Sequence, residues 1–203
     1  MNQFIFIIIL FFSSLNVLSQ ASEFIVQTGH SSEVNQLEYS SSGSIFASAG
    51  FDNNIVLWEV ETGKQLRLLS GHSNHINDLI FIKSDSVLIS CSNDSTVRFW
   101  NTYTGQILNS TKTDFLPLSI SYNQHTNELY IAAKVLYKYD VNMKKLDIIK
   151  SPKRNPFTIV HVLSDASYWY GGDDLRNIDH VKDSTSYKMR GSIVDFDFSK
   201  DEE

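Results

Sequence analysis

The residues whose types and spacing could support chemistry lie in the segment SGHSNHIND, Ser70–Asp78. His72 and His75 are three residues apart, and Asp78 follows after three more. Histidines and carboxylates at short spacing are common zinc ligands, and a histidine paired with an aspartate activates the serine of many hydrolases. The segment therefore admits three interpretations: a metal site, part of a catalytic apparatus, or a structural element.

The chain repeats itself, and the repeat helps to decide between these interpretations. Three sets of identical residues stand 42 positions apart: Gly29-His30 and Gly71-His72, Asp52 and Asp94, and Trp58 and Trp100. Apolar positions between these anchors match at the same shift, from Val34 with Ile76 to Leu57 with Phe99. A fixed period of about 40 residues indicates a repeat architecture built from one small structural unit.

Each repeat contains four short runs of β-forming residues. In the first repeat the runs are VNQLEYS, SIFASAG, NIVLWEV and KQLRLLS, with SSG, FDN and ETG between them. Gly, Asn, Asp and Ser favour tight turns between strands. Four strands per repeat, with Gly-His before the first and Trp late in the third, resemble the WD-repeat β-propeller family. The resemblance covers Phe24–Gln106 and implies an all-β propeller of four-stranded antiparallel blades.

The resemblance also implies a buried hydrogen-bond network in each of the two clear repeats. It links the His of Gly-His, a Ser on the second strand, the Asp of the following turn and the Trp of the third strand. The implied sets are His30, Ser48, Asp52 and Trp58, and His72, Ser90, Asp94 and Trp100. A buried indole N–H and a buried imidazole each need partners, so such a network would fix the outer strands.

The repeat disfavours the metal and hydrolase interpretations. His75 aligns with Glu33, so the His72/His75 pair is not repeated, and a lone His-x-x-His pattern is weak. The serines lack the G-x-S-x-G elbow, and the Ser–His–Asp trio occurs twice at the repeat period. The single cysteine, Cys91, lies in the strand-like run LISCS and is expected to be buried and unreactive. The sequence predicts no catalytic residue, metal or cofactor.

Beyond Gln106 the residues that are typical of the family are missing, but strand-like runs continue at a similar spacing. Strand-like runs continue as LPLSISYN, ELYIAA, VLYKYDV and KLDIIK, and then as FTIVHVLSD, SYWYGG, LRNIDHV and SYKMRG. These runs predict third and fourth blades that lack the Gly-His and turn Asp marks of the network. The predicted propeller covers residues 22–203, with blades at 29–70, 71–112, 113–152 and 153–191.

Both ends of the predicted propeller look unfinished. Residues 192–203, SIVDFDFSKDEE, resemble the first strand of a fifth blade. Phe24–Thr28 resemble the outer strand of a blade whose other strands are missing from the predicted array. An open array would expose unpaired strand edges, which proteins normally avoid. We therefore expect the chain to be part of a longer protein. The alternative is a smaller propeller, or one closed by another subunit in an oligomer.

The first 21 residues differ in character from the rest. An apolar run covers residues 4–12 and is followed by small and polar residues. Nine residues are too few for a transmembrane helix, which needs about 20, but they suit the core of a signal peptide. Cleavage would follow Ser19 or Ala21, giving an exported protein (secreted, periplasmic or cell-surface) without stable membrane insertion. The alternative is a buried N-terminal strand.

Composition narrows the range of partners. Thirteen Phe and nine Tyr against three Pro favour β-structure. With 17 Lys and Arg against 23 Asp and Glu, the net charge is −6. Nucleic acids and anionic membranes require a basic surface, so neither is an expected partner. A protein or peptide ligand is expected instead.

The family resemblance implies where that ligand would bind. Ligands of WD-repeat propellers usually contact one face of the propeller. That face is formed by the loops that lead into the first strand of each blade and by the turns between the second and third strands. Alignment places Glu33, Phe51, His75 and Asn93 there. Phe51 interrupts a polar turn, so it could be a contact anchor or could pack on the neighbouring blade.

Three functions are compatible with the sequence. The leading one is a non-enzymatic scaffold that binds a protein or peptide through this face. The second is the recognition domain of a multidomain enzyme, such as a caspase-like peptidase, whose catalytic part lies beyond this chain. The third is a propeller with a catalytic site in its channel, for which the sequence offers no cluster of carboxylates and histidines.

Overall fold

The computed structural model of the protein describes residues 29–141, 145–150, 157–163, 165–172, 177–180 and 186–188. The predicted signal peptide at 1–21, the outer strand predicted at Phe24–Thr28 and the blade start predicted at 192–203 lie outside the described residues. Regular secondary structure in the described ranges consists of β-strands. Those ranges hold no helix of the length and apolarity that a membrane crossing requires.

Sixteen strands in the described ranges form four antiparallel sheets, each with its four strands in chain order. The first sheet comprises β1 (Val34–Tyr39), β2 (Ile45–Gly50), β3 (Asn54–Glu59) and β4 (Gln65–Ser70). The second comprises β5 (Ile76–Ile82), β6 (Val87–Ser92), β7 (Thr96–Asn101) and β8 (Ile107–Lys112). The third comprises β9 (Ser119–Asn123), β10 (Glu128–Ala132), β11 (Leu136–Asp140) and β12 (Lys145–Lys150). The fourth comprises β13 (Phe157–Val162), β14 (Tyr168–Gly172), β15 (Asn177–His180) and β16 (Ser186–Lys188). Each sheet forms one blade.

The blades pack side by side in the manner of a propeller. Their first strands contact one another in the order β1, β5, β9 and β13, so these strands line the centre. Three apolar clusters fill the three spaces between consecutive sheets. The described blades do not close into a ring.

Alternation along the strands gives every blade two apolar faces. Leu57 and Leu69 of the first blade pack with Leu88 and Trp100 of the second, because side chains of a strand point alternately to opposite faces. The opposite face of the first blade carries Leu37 and Tyr39, each 61% exposed. Equivalent residues therefore have different surroundings in the first and second blades.

One feature of the backbone recurs in all four blades. The turn between the first and second strands holds a residue with positive φ in each: Gly43 (69°), Asp85 (68°), Asn127 (57°) and Ala166 (64°). Glycine adopts this conformation without strain, and Asp and Asn tolerate it better than Ala does. A residue with positive φ in this turn thus also occurs in the third and fourth blades, which lack the Gly-His and turn Asp residues of the network.

Candidate functional site

The four candidate contact residues, and the histidine and aspartate of each network, lie at one end of the blades. In an antiparallel sheet, the turn between the second and third strands is at the same end as the entry into the first strand. We call this end the upper face. It comprises residues 29–33 and 51–53 of the first blade, 71–75 and 93–95 of the second, and 113–118 and 133–135 of the third.

In the first blade, the four predicted network residues form a continuous hydrogen-bond chain. The indole N–H of Trp58 donates to Oγ of Ser48 at 2.7 Å. That hydroxyl lies 2.7 Å from Nε2 of His30, and Nδ1 of His30 lies 2.9 Å from Oδ2 of Asp52. The carboxylate also accepts the backbone N–H of Ser31. The chain therefore joins the third strand to the entry of the first.

The second blade repeats the chain and buries it more deeply. The indole N–H of Trp100 donates to Oγ of Ser90 at 2.8 Å. Ser90 lies 2.7 Å from Nε2 of His72, whose Nδ1 lies 2.8 Å from Oδ2 of Asp94. Asp94 also accepts both the backbone N–H and the hydroxyl of Thr96, at 2.9 and 2.6 Å. The first blade covers the network of the second blade. Among the described residues no blade precedes the first one, so the network of the first blade lacks such a cover.

The donors and acceptors of each network fix the proton on its histidine. An indole N–H can only donate and an ionised carboxylate can only accept. The serine hydroxyl therefore accepts from the indole, while Nδ1–H of the histidine donates to the aspartate. His30 and His72 thus both carry a proton on Nδ1.

The aspartates of the two networks are stabilised in their charged form. Burial alone would raise the pKa of each carboxyl, but the hydrogen bonds from His30 to Asp52, and from Thr96 and His72 to Asp94, outweigh it. The pKa of both aspartates is therefore below its ordinary value. Burial lowers the pKa of His72, Asp94 opposes this effect, and Arg98 adds to it by charge repulsion.

Ser90, His72 and Asp94 have the connectivity of a hydrolase triad, but the serine cannot act as a nucleophile. Ser90 is 0% exposed, so no substrate reaches it. Its oxygen also accepts the indole N–H of Trp100, which gives the hydroxyl a structural partner. Ser48 is buried as well and has the same bond to Trp58. These two constellations hold the blades together.

The third blade replaces the polar network with apolar packing. Tyr139 pairs with Leu129 as Trp100 pairs with Leu88 in the second blade. Ile131 follows two residues later in the position of the network serine. The ring of Phe115 stacks on Tyr137 with centroids 3.8 Å apart. Stacked rings and an isoleucine need no buried hydrogen-bond network, so this blade lacks the histidine and aspartate of the network.

Three of the four candidate contact residues form a cluster where the first two blades meet. Phe51 is 48% exposed, and its ring stacks on the imidazole of His75 with centroids 4.8 Å apart and an interplanar angle of 28°. Nε2 of His75 lies 2.7 Å from Nδ2 of Asn93. The Phe51 ring thus packs on the neighbouring blade and keeps about half of its surface in solvent.

The fourth candidate, Glu33, supports this cluster through its backbone. Its carbonyl accepts the N–H of Phe51 at 2.9 Å, and its side chain is exposed. Gly50 permits this close approach, because a Cβ there would lie 2.0 Å from the carbonyl oxygen of Glu33. At the equivalent position in the second blade, the hydroxyl of Ser92 donates to the carbonyl of His75 at 2.9 Å. Gly50 therefore allows the close approach of the Glu33 carbonyl in the first blade, whereas Ser92 bonds the equivalent carbonyl in the second.

Three other kinds of candidate site arise from the sequence: a metal site, a reactive cysteine and glycosylated asparagines. In the described ranges, no three His, Cys, Asp or Glu side chains gather as a metal site would require. Cys91 is buried, and burial raises the pKa of its thiol well above the ordinary value. The amides of both asparagines in N-x-S/T sequons are engaged: Asn93 contacts His75, and Asn109 donates to the hydroxyl of Tyr139 at 3.2 Å.

Four-stranded blades around a common centre are the architecture of a β-propeller, and two of the blades contain a Trp–Ser–His–Asp chain. The model of the family "WD domain, G-beta repeat" (WD40) matches residues 22–59 and 63–101. The chain therefore contains WD40 repeats within a WD40-type propeller fold. A comparison with curated protein sequences gave no match.

Solved structures show the same fold. The crystal structure of the RRP9 WD40 repeats matches with a TM-score of 0.71 at 17% identity, over 80% of this chain and 52% of that chain. The WD40 β-propeller domain of Doa1 matches with a TM-score of 0.65 at 20% identity, over 72% and 50%. The chain thus spans about half the length of these domains. WD40 propellers are typically non-catalytic scaffolds for protein interactions.

We expect stability to fall as the pH drops below about 6.5, through protonation of His72. Its pKa is lowered in the folded state, so the unfolded chain binds a proton that the folded chain does not. One such proton reduces stability by up to about 1.4 kcal/mol per pH unit between the unfolded and folded pKa values. The lowered pKa values of Asp52 and Asp94 reduce stability only in more acidic solution, near and below about pH 4, where the carboxylates become protonated.

Urea unfolding at pH 7.0 and 5.5 measures this loss. His72→Gln should be less stable at both pH values but should lack the part of the loss that His72 causes. His125→Gln, at an exposed position of the third blade, is the matched control and should keep the full loss. Equal losses in the wild type and His72→Gln would contradict the assignment.

Proposed function

We propose that the protein is a non-enzymatic scaffold that binds a protein or peptide ligand through its upper face, with Phe51, His75 and Asn93 at the contact. The observation that carries this proposal is the ring of Phe51, which is about half exposed in a turn of otherwise polar residues. Binding energy at interfaces is concentrated in a few residues, aromatic anchors among them. Scaffold function is also typical of WD40 propellers.

The cluster is preorganised for such a contact. Stacking on His75 holds the Phe51 ring, and the bond between Glu33 and Phe51 holds its backbone. A side chain that is already ordered loses less conformational entropy when a ligand covers it. The exposed area of Phe51 is therefore available for binding at a low entropic cost.

Selection of peptides on matched variants tests this proposal. A phage-displayed peptide library is panned on the full chain, and each enriched peptide is then measured against Phe51→Ser and Tyr103→Ser. Tyr103 is the control because it is 67% exposed and lies in the turn after β7, at the opposite end of the blades. We expect Phe51→Ser to weaken binding about tenfold or more, or ~1.4 kcal/mol, and Tyr103→Ser to leave it unchanged.

The proposal requires that enriched peptides depend on Phe51. Peptides that bind the wild type and Phe51→Ser with equal affinity would place the binding surface elsewhere. The absence of any enriched peptide would also count against it. Circular dichroism and thermal melting of Phe51→Ser must match the wild type, so that lost binding is not lost folding.

A further inference from the structure

A chain of hydrogen bonds behind the upper face fixes the orientation of two amides. It begins at the backbone carbonyl of Pro117, which can only accept. Nδ2 of Asn77 lies 2.7 Å from that oxygen and also 2.7 Å from Oδ1 of Asn93. Both amide protons of Asn77 are thus donated. Asn93 consequently turns its oxygen to Asn77 and its Nδ2 to His75.

This orientation determines which nitrogen of His75 carries the proton. Because Asn93 presents an N–H donor 2.7 Å from Nε2 of His75, that nitrogen must accept. The imidazole therefore carries its proton on Nδ1. The other tautomer would set two N–H groups against each other. Within the described part of the chain, Nδ1 of His75 has no hydrogen-bond partner.

Among the described residues, His75 therefore holds an oriented N–H donor without a partner beside the ring of Phe51. We infer that Nδ1–H of His75 donates to a backbone carbonyl of the bound peptide, and that the apolar side chain next to this carbonyl covers Phe51. The inference rests on the function proposed above and names the group that the site recognises. Glu33, an exposed carboxylate at the entry of the adjacent blade, disfavours a carboxylate ligand by charge repulsion.

Asn77 is a positioning residue in this arrangement, since it acts through Asn93. Its equivalent in the first blade is Asn35, 42 residues earlier. The amide of Asn35 donates to the backbone carbonyl of Ile76 at 3.1 Å. Both asparagines thus clamp their blade to the next one, but only Asn77 also orients the amide that faces His75. Asn35 therefore provides a matched control.

Long-range ¹⁵N–¹H NMR of the histidine side chains tests the tautomer without a ligand. At pH 7.5 we expect His75 to carry its proton on Nδ1. In Asn77→Asp the new carboxylate accepts from Nδ2 of Asn93, which turns its oxygen toward His75 and moves the proton to Nε2. Asn35→Asp should leave His75 unchanged. A proton on Nε2 in the wild type, or an equal change in both variants, would overturn the inference.

Small probes test the recognised group in the same spectra. N-acetyl-phenylalanine N-methylamide supplies neutral carbonyls beside an aromatic ring, and 3-phenylpropanoate supplies a carboxylate beside one. At millimolar concentrations the neutral probe should shift the Nδ1–H signal of His75, and Phe51→Ser should abolish the shift. A stronger response to the carboxylate, or no response to either probe, would overturn the inference.

The two experiments separate the failure of the inference from the failure of the proposed function. If the selected peptides depend on Phe51 but His75 is protonated on Nε2, the proposed binding face is supported and the role of the Nδ1–H donor is excluded. Selected peptides that ignore Phe51 would remove the binding face, whatever the tautomer of His75.

Discussion

Trp100→Ala should destabilise the fold by about 3–5 kcal/mol, the range for truncation of a large buried aromatic side chain. Trp100 is 1% exposed and belongs to the apolar cluster that joins the first two blades, together with Leu57 and Leu88. Truncation opens a cavity between the blades. It also removes the donor to Ser90, so a buried hydroxyl loses a partner. Urea unfolding of the full chain measures the loss.

Trp58→Ala is the matched control for this prediction. Trp58 occupies the same repeat position and makes the same bond, to Ser48 at 2.7 Å. However, it is only partly buried, on the face of the first blade that no described blade covers. Hydrophobic stabilisation scales with the area removed from water, so the loss should be clearly smaller than for Trp100→Ala. Equal losses would show that burial between blades does not govern the effect.

This contrast marks the limit of what the sequence predicts about the fold. Strand order and turn positions follow from local signals: Gly63 and Gly105, 42 residues apart, both adopt a positive φ that favours glycine. The repeat therefore predicts four strands in each unit. It also makes Trp58 and Trp100 look equivalent. Their difference in burial depends on the neighbouring blade, and the sequence of a single repeat does not contain that information.

The same distinction applies to the candidate site. The resemblance to the WD-repeat family implies a Trp–Ser–His–Asp chain in each of the first two blades, and the structure contains both chains. The resemblance does not indicate the link through Asn77, although the recurrence of this residue as Asn35 offered a signal. The direction of that link depends on the carbonyl of Pro117, 40 residues further along the chain. Likewise, the sequence shows that the third blade lacks the network, but not that Phe115 and Tyr137 stack in its place.

Asp94→Ala should destabilise the fold by about 1–3 kcal/mol, the cost of leaving buried polar groups without a partner. The Asp94 carboxylate accepts hydrogen bonds from His72 and from the backbone N–H groups of Ser73 and Thr96. The alanine side chain replaces none of these acceptors, and the imidazole of His72, which is buried, loses its partner. The entry into the first strand of the second blade would then lose its connection to the turn after the second strand.

Two further variants make this prediction specific. Asp94→Asn keeps one acceptor oxygen at the same position, so it should lose less stability than Asp94→Ala. Asp114→Ala removes an exposed carboxylate from the upper face of the third blade and should change stability by no more than about 0.5 kcal/mol. All three are compared with the wild type by urea unfolding at pH 7. If Asp94→Ala were as stable as Asp114→Ala, Asp94 would have no structural role and would become a fifth candidate contact residue of the upper face.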